Sequence, residues 1–302
     1  MNRVTVIGSI NLDRTIRVPY MPKPGETMHS TEVFSAGGGK GANQAVAAAR
    51  LGAETRFIGA VGDDESGQMT YELLSEEGID LEGVARLTGT ATGQAYIIVD
   101  DNGENSIMLH GGANQAFTPE HVRQYEEKIA NSDFVITQFE SDVPSSIEAF
   151  KLAHQHGVKT ILNPAPAMKE VPKELLENTD MIVPNETETE ILTGIHVETE
   201  ADMKAAAKQL HDQGVPMVLI TVGSKGAFYD GFNKSGMIPA FKVKAVDTTA
   251  AGDTFIGALA SELAADFSNI EAAIKHANKA SSLTVQRFGA QPSIPYLSEL
   301  EA

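Results

Sequence analysis

Short apolar runs recur along this chain with helical patterns between several of them, and this alternation restricts the fold more than any other feature. The runs at Val4 to Ile7, Arg56 to Ala60, Phe134 to Thr137, Lys159 to Leu162, Met181 to Val183 and Met217 to Thr221 read as buried strands. Ser66 to Glu77, Pro144 to Gln155 and Ala201 to Gln213 repeat their apolar residues at helical spacing instead. Strands and helices in turn predict an α/β chain: a doubly wound core around a mainly parallel sheet.

Two stretches break this rhythm. Thr15 to Val18 with Glu32 to Ser35, and Gln94 to Val99 with Ser106 to His110, look like strands without crossover helices, and Asp100-Asp101-Asn102-Gly103 supplies hairpin turn chemistry. They predict a small β appendage, from about 14–36 and 91–110, inserted in a single domain spanning 1–302. Its apolar residues include Ile16, Val18, Val33, Phe34, Ile97, Val99, Ile107 and Leu109. A sheet this small cannot bury both faces, so it is expected to seek a partner, most simply a second copy of the chain.

With 302 residues, 42% hydrophobic and 21% charged, the chain can bury a large core. Its formal charge of -18 opposes nucleic-acid binding, which rests on Lys and Arg contacts to phosphates. Any nucleotide bound by such a chain would have to be held locally, by helix N-termini, a divalent metal and a few bases. The absence of cysteine excludes thiol chemistry and disulfides. No window approaches the roughly 20 apolar residues of a membrane helix, and no signal peptide is evident, so the cytoplasm is the expected location.

Asp247-Thr248-Thr249-Ala250-Ala251-Gly252-Asp253 runs directly into the apolar helical pattern Phe255, Ile256, Leu259, Leu263. Small residues at a helix start let a ligand reach the backbone, and the N–H groups of Ala250, Ala251 and Gly252 are expected to be unpaired there, a hole for an anion. A carboxylate at Asp253 would stand beside a phosphate bound in it, where a base that deprotonates an attacking hydroxyl must be. An ordinary Asp-rich helix cap explains the same residues.

A second glycine cluster, Ala36-Gly37-Gly38-Gly39-Lys40-Gly41-Ala42-Asn43-Gln44, leads into a helix ending at Gly52. Gly37-x-Gly39-x-x-Ala42 fits a loose dinucleotide fingerprint, with Asp63 about 20 residues on. That fingerprint should follow the first core strand directly, yet Val4 to Ile7 lies about thirty residues upstream. A Walker A loop fails because Gly41 follows Lys40 where Ser or Thr is required. Gly111-Gly112-Ala113-Asn114-Gln115-Ala116 echoes the cluster, but its flanks do not align, so turn chemistry or chance explains it better than duplication.

Together the two motifs resemble the two signatures of the carbohydrate kinase family typified by ribokinase. The segments Asn163-Pro164-Ala165-Pro166-Ala167, Pro184-Asn185-Glu186-Thr187-Glu188 and Gly289-Ala290-Gln291-Pro292-Ser293 extend the likeness over essentially the whole chain. The resemblance implies an ATP-dependent kinase acting on the 5-hydroxyl of D-ribose, with the β appendage as a lid over the sugar and often a dimer contact. Deoxyribose or a nucleoside as acceptor, and a non-catalytic sugar or nucleoside sensor, stay open.

The resemblance also implies roles. Asp253 would be the base, with the amides of Ala250, Ala251 and Gly252 as the anion hole. Asn11, Asp13, Gly39, Lys40, Asn43 and Glu140 would orient the sugar; Asn11 and Asp13 follow the first strand, at the edge where open α/β sheets bind ligands, although loop capping accounts for such residues too. Asn185 would lie near the triphosphate, Glu188 near Mg²⁺ through water, which suits an ion that takes few carboxylates. Thr221, Gly223, Ser224 and Gly226 would shape the nucleotide pocket and Asn278 would lie near the adenine. Asp247, Thr249, Thr284, Arg287, Gly289 and Ser293 would surround a potassium ion. The eight histidines form no ligand set, since His154 and His156 fall on different helix faces.

Overall fold

The computed structural model describes residues 1–301. Its strands are β1 (Arg3–Ile7), β2 (Asn11–Arg17), β3 (Glu32–Gly38), β4 (Glu54–Gly62), β5 (Asp80–Leu87), β6 (Gly93–Val99), β7 (Asn105–His110), β8 (Phe134–Thr137), β9 (Lys159–Leu162), β10 (Met181–Ile182), β11 (Met217–Thr221), β12 (Gly226–Gly231) and β13 (Lys234–Pro239). Nine form one sheet in the order β13-β12-β11-β10-β9-β8-β1-β4-β5. It is parallel from β11 to β5 and antiparallel where the β12–β13 hairpin joins its edge.

Alternation along the strands explains why the runs are apolar throughout. Val4, Val6, Phe57, Phe134, Ile136, Ile161, Met181, Met217 and Leu219 point into one buried cluster, shared with the helices Lys40–Arg50, Ala251–Glu262 and Ile270–Thr284. Ile7, Ile58, Val135, Leu162, Ile182, Val218 and Ile220 point into the other, against the helices Val143–Gln155 and Glu200–Asp212. Both faces are covered, as a parallel sheet requires. The core strands and helices anticipated from periodicity are all present, with ends displaced by a residue or two.

Strand order reverses at β1, which lies between β4 and β8. The chain winds outward to β5 on one side and returns through β8, β9, β10 and β11 on the other. The crevice past the carboxyl end of β1 is therefore the switch point at which such sheets bind ligands.

The strands without crossovers form a separate sheet in the order β3-β2-β6-β7. It reaches closer to the core than the sequence suggested, since β2 starts at Asn11 and β3 runs to Gly38. In the β6–β7 turn, the Asp100 carboxylate accepts from the N–H groups of Asn102 and Glu104, with Gly103 at φ 83°. Val33, Phe34, Ile107, Met108 and Leu109 are exposed, whereas Val18, expected among them, is buried.

The edge elements β5, β12 and β13 were not apparent in the sequence. Glu82 and Gly83 interrupt the apolar pattern of β5. The β12–β13 turn places Phe232 and Asn233 at φ 50° and 62°, a two-residue hairpin without the usual glycine.

Candidate active site at the carboxyl edge of the sheet

The glycine cluster works by close approach. A Cβ on Gly39, at φ 90°, would lie 2.8 Å from the Ser9 carbonyl oxygen and 2.9 Å from the Asn11 nitrogen. The helix Lys40–Arg50 thus begins pressed against the segment leaving β1, and its Ala42 N–H donates to the Ser9 carbonyl at 2.9 Å. Glu140, just past β8, caps the same helix start: its Oε2 accepts from the Lys40 N–H at 3.0 Å and from the Ser9 hydroxyl at 2.7 Å. Capping explains much of Glu140, and Oε1 alone has no partner among the described residues.

Asn11 is buried and accepts at Oδ1 from Asn114 Nδ2 at 2.8 Å. Asn114 also bonds both the N–H and the carbonyl of Ile10. The second glycine segment, set aside as an echo, therefore packs directly on the first strand's exit. The Asp13 carboxylate has no hydrogen-bond partner among the described residues. Burial, followed by the nearby carboxylates of Glu140 and Asp253, pushes its pKa up to about 7.

Asp253 lies in the first turn of the helix Ala251–Glu262 and is buried. Its Oδ2 accepts from Asn43 Nδ2 at 3.0 Å and its Oδ1 from Gln44 Nε2 at 3.0 Å. The two motifs, about 210 residues apart, meet because the two helices cross closely at Gly257, one turn beyond Asp253. A Cβ there would lie 2.5 Å from Ala47 Cβ and 2.6 Å from the Gln44 carbonyl oxygen. Burial raises the pKa of Asp253, and Lys40, Asn43 and Gln44 oppose that rise. Asn43 Oδ1 is buried without a partner, an unmet acceptor on the residue that grips Asp253.

Beside Asp253 is a cavity of about 180 Å³ lined by Lys40, Asn185, Glu188 and Thr221, with Thr248, Ala250, Ala251 and Gly252 at the helix start. One expectation about its floor needs correction. The Ala251 N–H is not free but donates to the Thr248 carbonyl at 3.2 Å, because Ala250, at φ 59°, turns the chain back on itself. The N–H groups of Ala250, Gly252 and Asp253 have no partner among the described residues, so the hole is displaced by one residue along the helix start. Lys40 is half-buried and has no direct ion pair among the described residues. Burial works against its charge, yet Asp253, Glu140 and Glu188 together keep its pKa above the ordinary lysine value.

Asn185 and Glu188 form a reciprocal cap. Asn185 Oδ1 accepts from the Glu188 N–H, while the Asn185 N–H and Nδ2 donate to the two Glu188 carboxylate oxygens at 2.8 and 2.9 Å. Each oxygen keeps a free lone pair, which fits a metal met through water better than one bound directly. Among the described residues, no three His, Cys, Asp or Glu side chains converge as a metal-binding group.

The remaining candidates divide. Thr221 ends β11, bridges to Asn185 and lines the cavity. Gly223 and Ser224 form an exposed turn closed by Gly226 at φ 114°, and none of the three lines the cavity. Asn278 does not line it either: it is buried, and its Nδ2 donates to the carbonyls of Ile238 and Pro239 at 3.2 Å, tying its helix to β13.

Asp247 accepts at Oδ1 from the Thr249 N–H and hydroxyl and at Oδ2 from the Gly289 N–H at 2.9 Å, which joins two of the segments assigned to potassium. Thr284 donates its hydroxyl to the Thr254 hydroxyl, Ser293 to the Ala290 carbonyl, and Arg287 pairs with Glu299, so these side chains serve the chain itself. Any cation here would draw mainly on carbonyls and Asp247.

Sequence reasoning missed Ser9, Gln44, Asn114, Gln138 and Asn163 as parts of the site. They come from separate segments, and the cues were that Gln44 follows Asn43 in the glycine motif, that Asn163 opens a segment of the family likeness and that Asn114 stands in the echoing glycine segment. Among the described residues, no helix is long and apolar enough to cross a membrane.

Residues 1–297 match the family described as pfkB family carbohydrate kinase. The chain is 48% identical over 300 residues to a ribokinase of Staphylococcus aureus, covering 99% of this chain and 98% of that one. It is 52% identical over 296 residues to a bifunctional ribokinase/ribose-5-phosphate isomerase A of Fructilactobacillus sanfranciscensis, covering 98% of this chain and 55% of that protein, so it spans about half the bifunctional protein's length. The structure of Arabidopsis thaliana ribokinase complexed with ribose and ATP superimposes with a TM-score of 0.93 at 34% identity, over 99% of this chain and 97% of that one. The buried acid at a helix start, the glycine-led helix against it and these matches over nearly the full length agree: the chain belongs to the pfkB family of carbohydrate kinases.

Proposed function

We propose that this chain transfers the γ-phosphoryl group of ATP to the 5-hydroxyl of D-ribose, giving D-ribose 5-phosphate and ADP. The observation that carries the mechanism is the position of Asp253. Its carboxylate is held on one side by Asn43 and Gln44, and on the other borders a cavity with free amides and a half-buried lysine. Asp253 takes the proton of the 5-hydroxyl as that oxygen attacks the γ-phosphorus and the bond to the β-phosphate oxygen breaks. The amides of Ala250, Gly252 and Asp253 stabilise charge on the transferring group, with Lys40 adding a desolvated positive charge. Asn185 and Thr221 lie along the triphosphate. Mg²⁺, met through water by Glu188, would neutralise the phosphate oxygens.

Asn11, Asp13, Gly39, Asn43 and Glu140 orient the sugar. Asn43 Oδ1 supplies an unpaired acceptor, and Asp13, titrating near neutrality, presents either a donor or an acceptor to a sugar oxygen. In an ATP-dependent panel of sugars and nucleosides, ribose is expected to be the best acceptor. Hexoses and fructose phosphates, which are larger, should follow behind, and so should 2-deoxyribose, because a site that bonds a hydroxyl rejects analogues lacking it. Equal or better turnover of a nucleoside would overturn the assignment.

The small sheet acts in this reading as a lid over the sugar and as the contact between two copies of the chain. The exposure of Val33, Phe34, Ile107, Met108 and Leu109 supports it. Sedimentation should show a dimer at micromolar concentration, and charges placed at Ile107 and Leu109 should yield monomers. A monomeric parent, or a dimer indifferent to those charges, would count against the contact. The reading places the reaction in the cytoplasm, with its ATP; activity confined to another compartment on cell fractionation would contradict that.

A further inference from the structure

Behind Asp253 lies a chain of buried carboxamides, Gln44, Gln138 and Asn163. Gln44 is fully buried. Its Nε2 donates to Asp253 Oδ1 at 3.0 Å and to Asn163 Oδ1 at 3.1 Å, and its Oε1 accepts from Gln138 Nε2 at 2.6 Å. Asn163 in turn donates through Nδ2 to the Val183 carbonyl at 3.2 Å. These links join the exits of β8, β9 and β10 to the helix Lys40–Arg50. They also fix the direction of the amide: turned over, Gln44 would set its oxygen against the oxygens of Asp253 and Asn163 and its N–H groups against the Gln138 donor.

We propose that Gln44 is a positioning residue for the phosphoryl-transfer base, gripping one carboxylate oxygen of Asp253 while Gln138 and Asn163 hold Gln44 in place. Two consequences follow from the geometry. With Asn43 on Oδ2 and Gln44 on Oδ1, the carboxylate cannot rotate, so its remaining lone pairs keep a fixed direction for the attacking hydroxyl. A donated hydrogen bond also favours the ionised carboxylate in a site whose burial favours the protonated one, so Gln44 keeps the base unprotonated at working pH. The inference rests on Asp253 being the base.

The test uses the full chain with ATP, Mg²⁺ and ribose. Gln44→Met keeps the length of the side chain and removes the donors. Gln44→Glu keeps the shape and the acceptor for Gln138, and covers the case in which the methionine variant does not fold. Both should lower kcat about tenfold or more at neutral pH, with the KM for ribose changed less than about threefold. Both should also move the acidic limb of the kcat profile upward by about one pH unit, further in the glutamate variant because like charges oppose ionisation. Gln138→Met, which leaves Asp253 untouched, should move the limb the same way by a smaller amount.

A fall in kcat with the limb unmoved in both Gln44 variants would overturn the proposal, since packing damage alone does not change the titration of the base. Asp253→Asn run alongside separates the two readings. If that variant is inactive and the Gln44 limb stays put, only the role of Gln44 is wrong. If it is active, Asp253 is not the base and the proposal falls with it.

Discussion

Asp253→Asn is expected to lower kcat by about 10² to 10⁴-fold, the range for loss of a general base, while ribose affinity changes much less. Asparagine preserves the volume of this buried side chain, so the crossing of the two helices at Gly257 should survive. It cannot preserve the bonding. Asp253 accepts from both Asn43 and Gln44, and an amide nitrogen placed on one side faces a donor. A modest loss of thermal stability should therefore accompany the catalytic loss. Its size is bounded by one mismatched buried hydrogen bond, about 1 to 3 kcal/mol. Burst or single-turnover kinetics with ribose near saturation would separate chemistry from binding. A kcat within tenfold of the parent would show that another group accepts the proton.

Replacing potassium by a bulky organic cation at constant ionic strength is expected to cost the parent enzyme about 10² to 10³ in rate, the cost of misplacing one donor to the transferring group. The argument starts from the loop itself. Thr248 and Thr249 are exposed, and Ala250 holds a left-handed conformation without being glycine, so the approach to the free amides is strained and poorly packed. We propose that a cation among the carbonyls near Asp247 and Gly289 holds this loop with its N–H groups toward the phosphate. Asp247 already joins the two segments through Thr249 and Gly289, and hydrogen bonding to those groups keeps its pKa low despite partial burial, so it stays anionic toward a cation. Asp247→Ala should lose most of the potassium response. A parent rate indifferent to potassium would mean that the hydrogen bonds of Asp247 suffice to hold the loop. A mutant with the full response would leave the ion to the carbonyls alone.

The sequence carried the architecture in a form that local physics can read. Strands covered on both faces must be apolar throughout, so Val4 to Ile7, Phe134 to Thr137 and Met217 to Thr221 announced a parallel sheet. Asp253 was legible as an acid at a helix start, whereas the close approach of Gly39 to Ser9 and Asn11 was not, because the space beside it is filled by backbone from another segment. Edge strands were not legible. β5 is half exposed and carries Glu82 and Gly83, and the β12–β13 turn uses Phe232 where a glycine would have announced it.

What the tertiary structure alone decided is how distant polar groups share their hydrogen bonds. No local pattern links Gln44 to Asp253, Gln138 and Asn163, yet helix crossing at Gly257 and the adjacent ends of β8 and β9 bring all four within 3.1 Å of a partner. The same distance in space explains the reassignments within the site. Glu140 proved also to cap, through Oε2, a helix a hundred residues earlier in the chain, Asn278 to tie a helix to a strand, and the Ala251 amide to close its own turn. A polar side chain has the same identity whether it meets a ligand or a backbone group. Burial requires only that it meet something, and which partner it finds depends on packing between segments far apart in sequence.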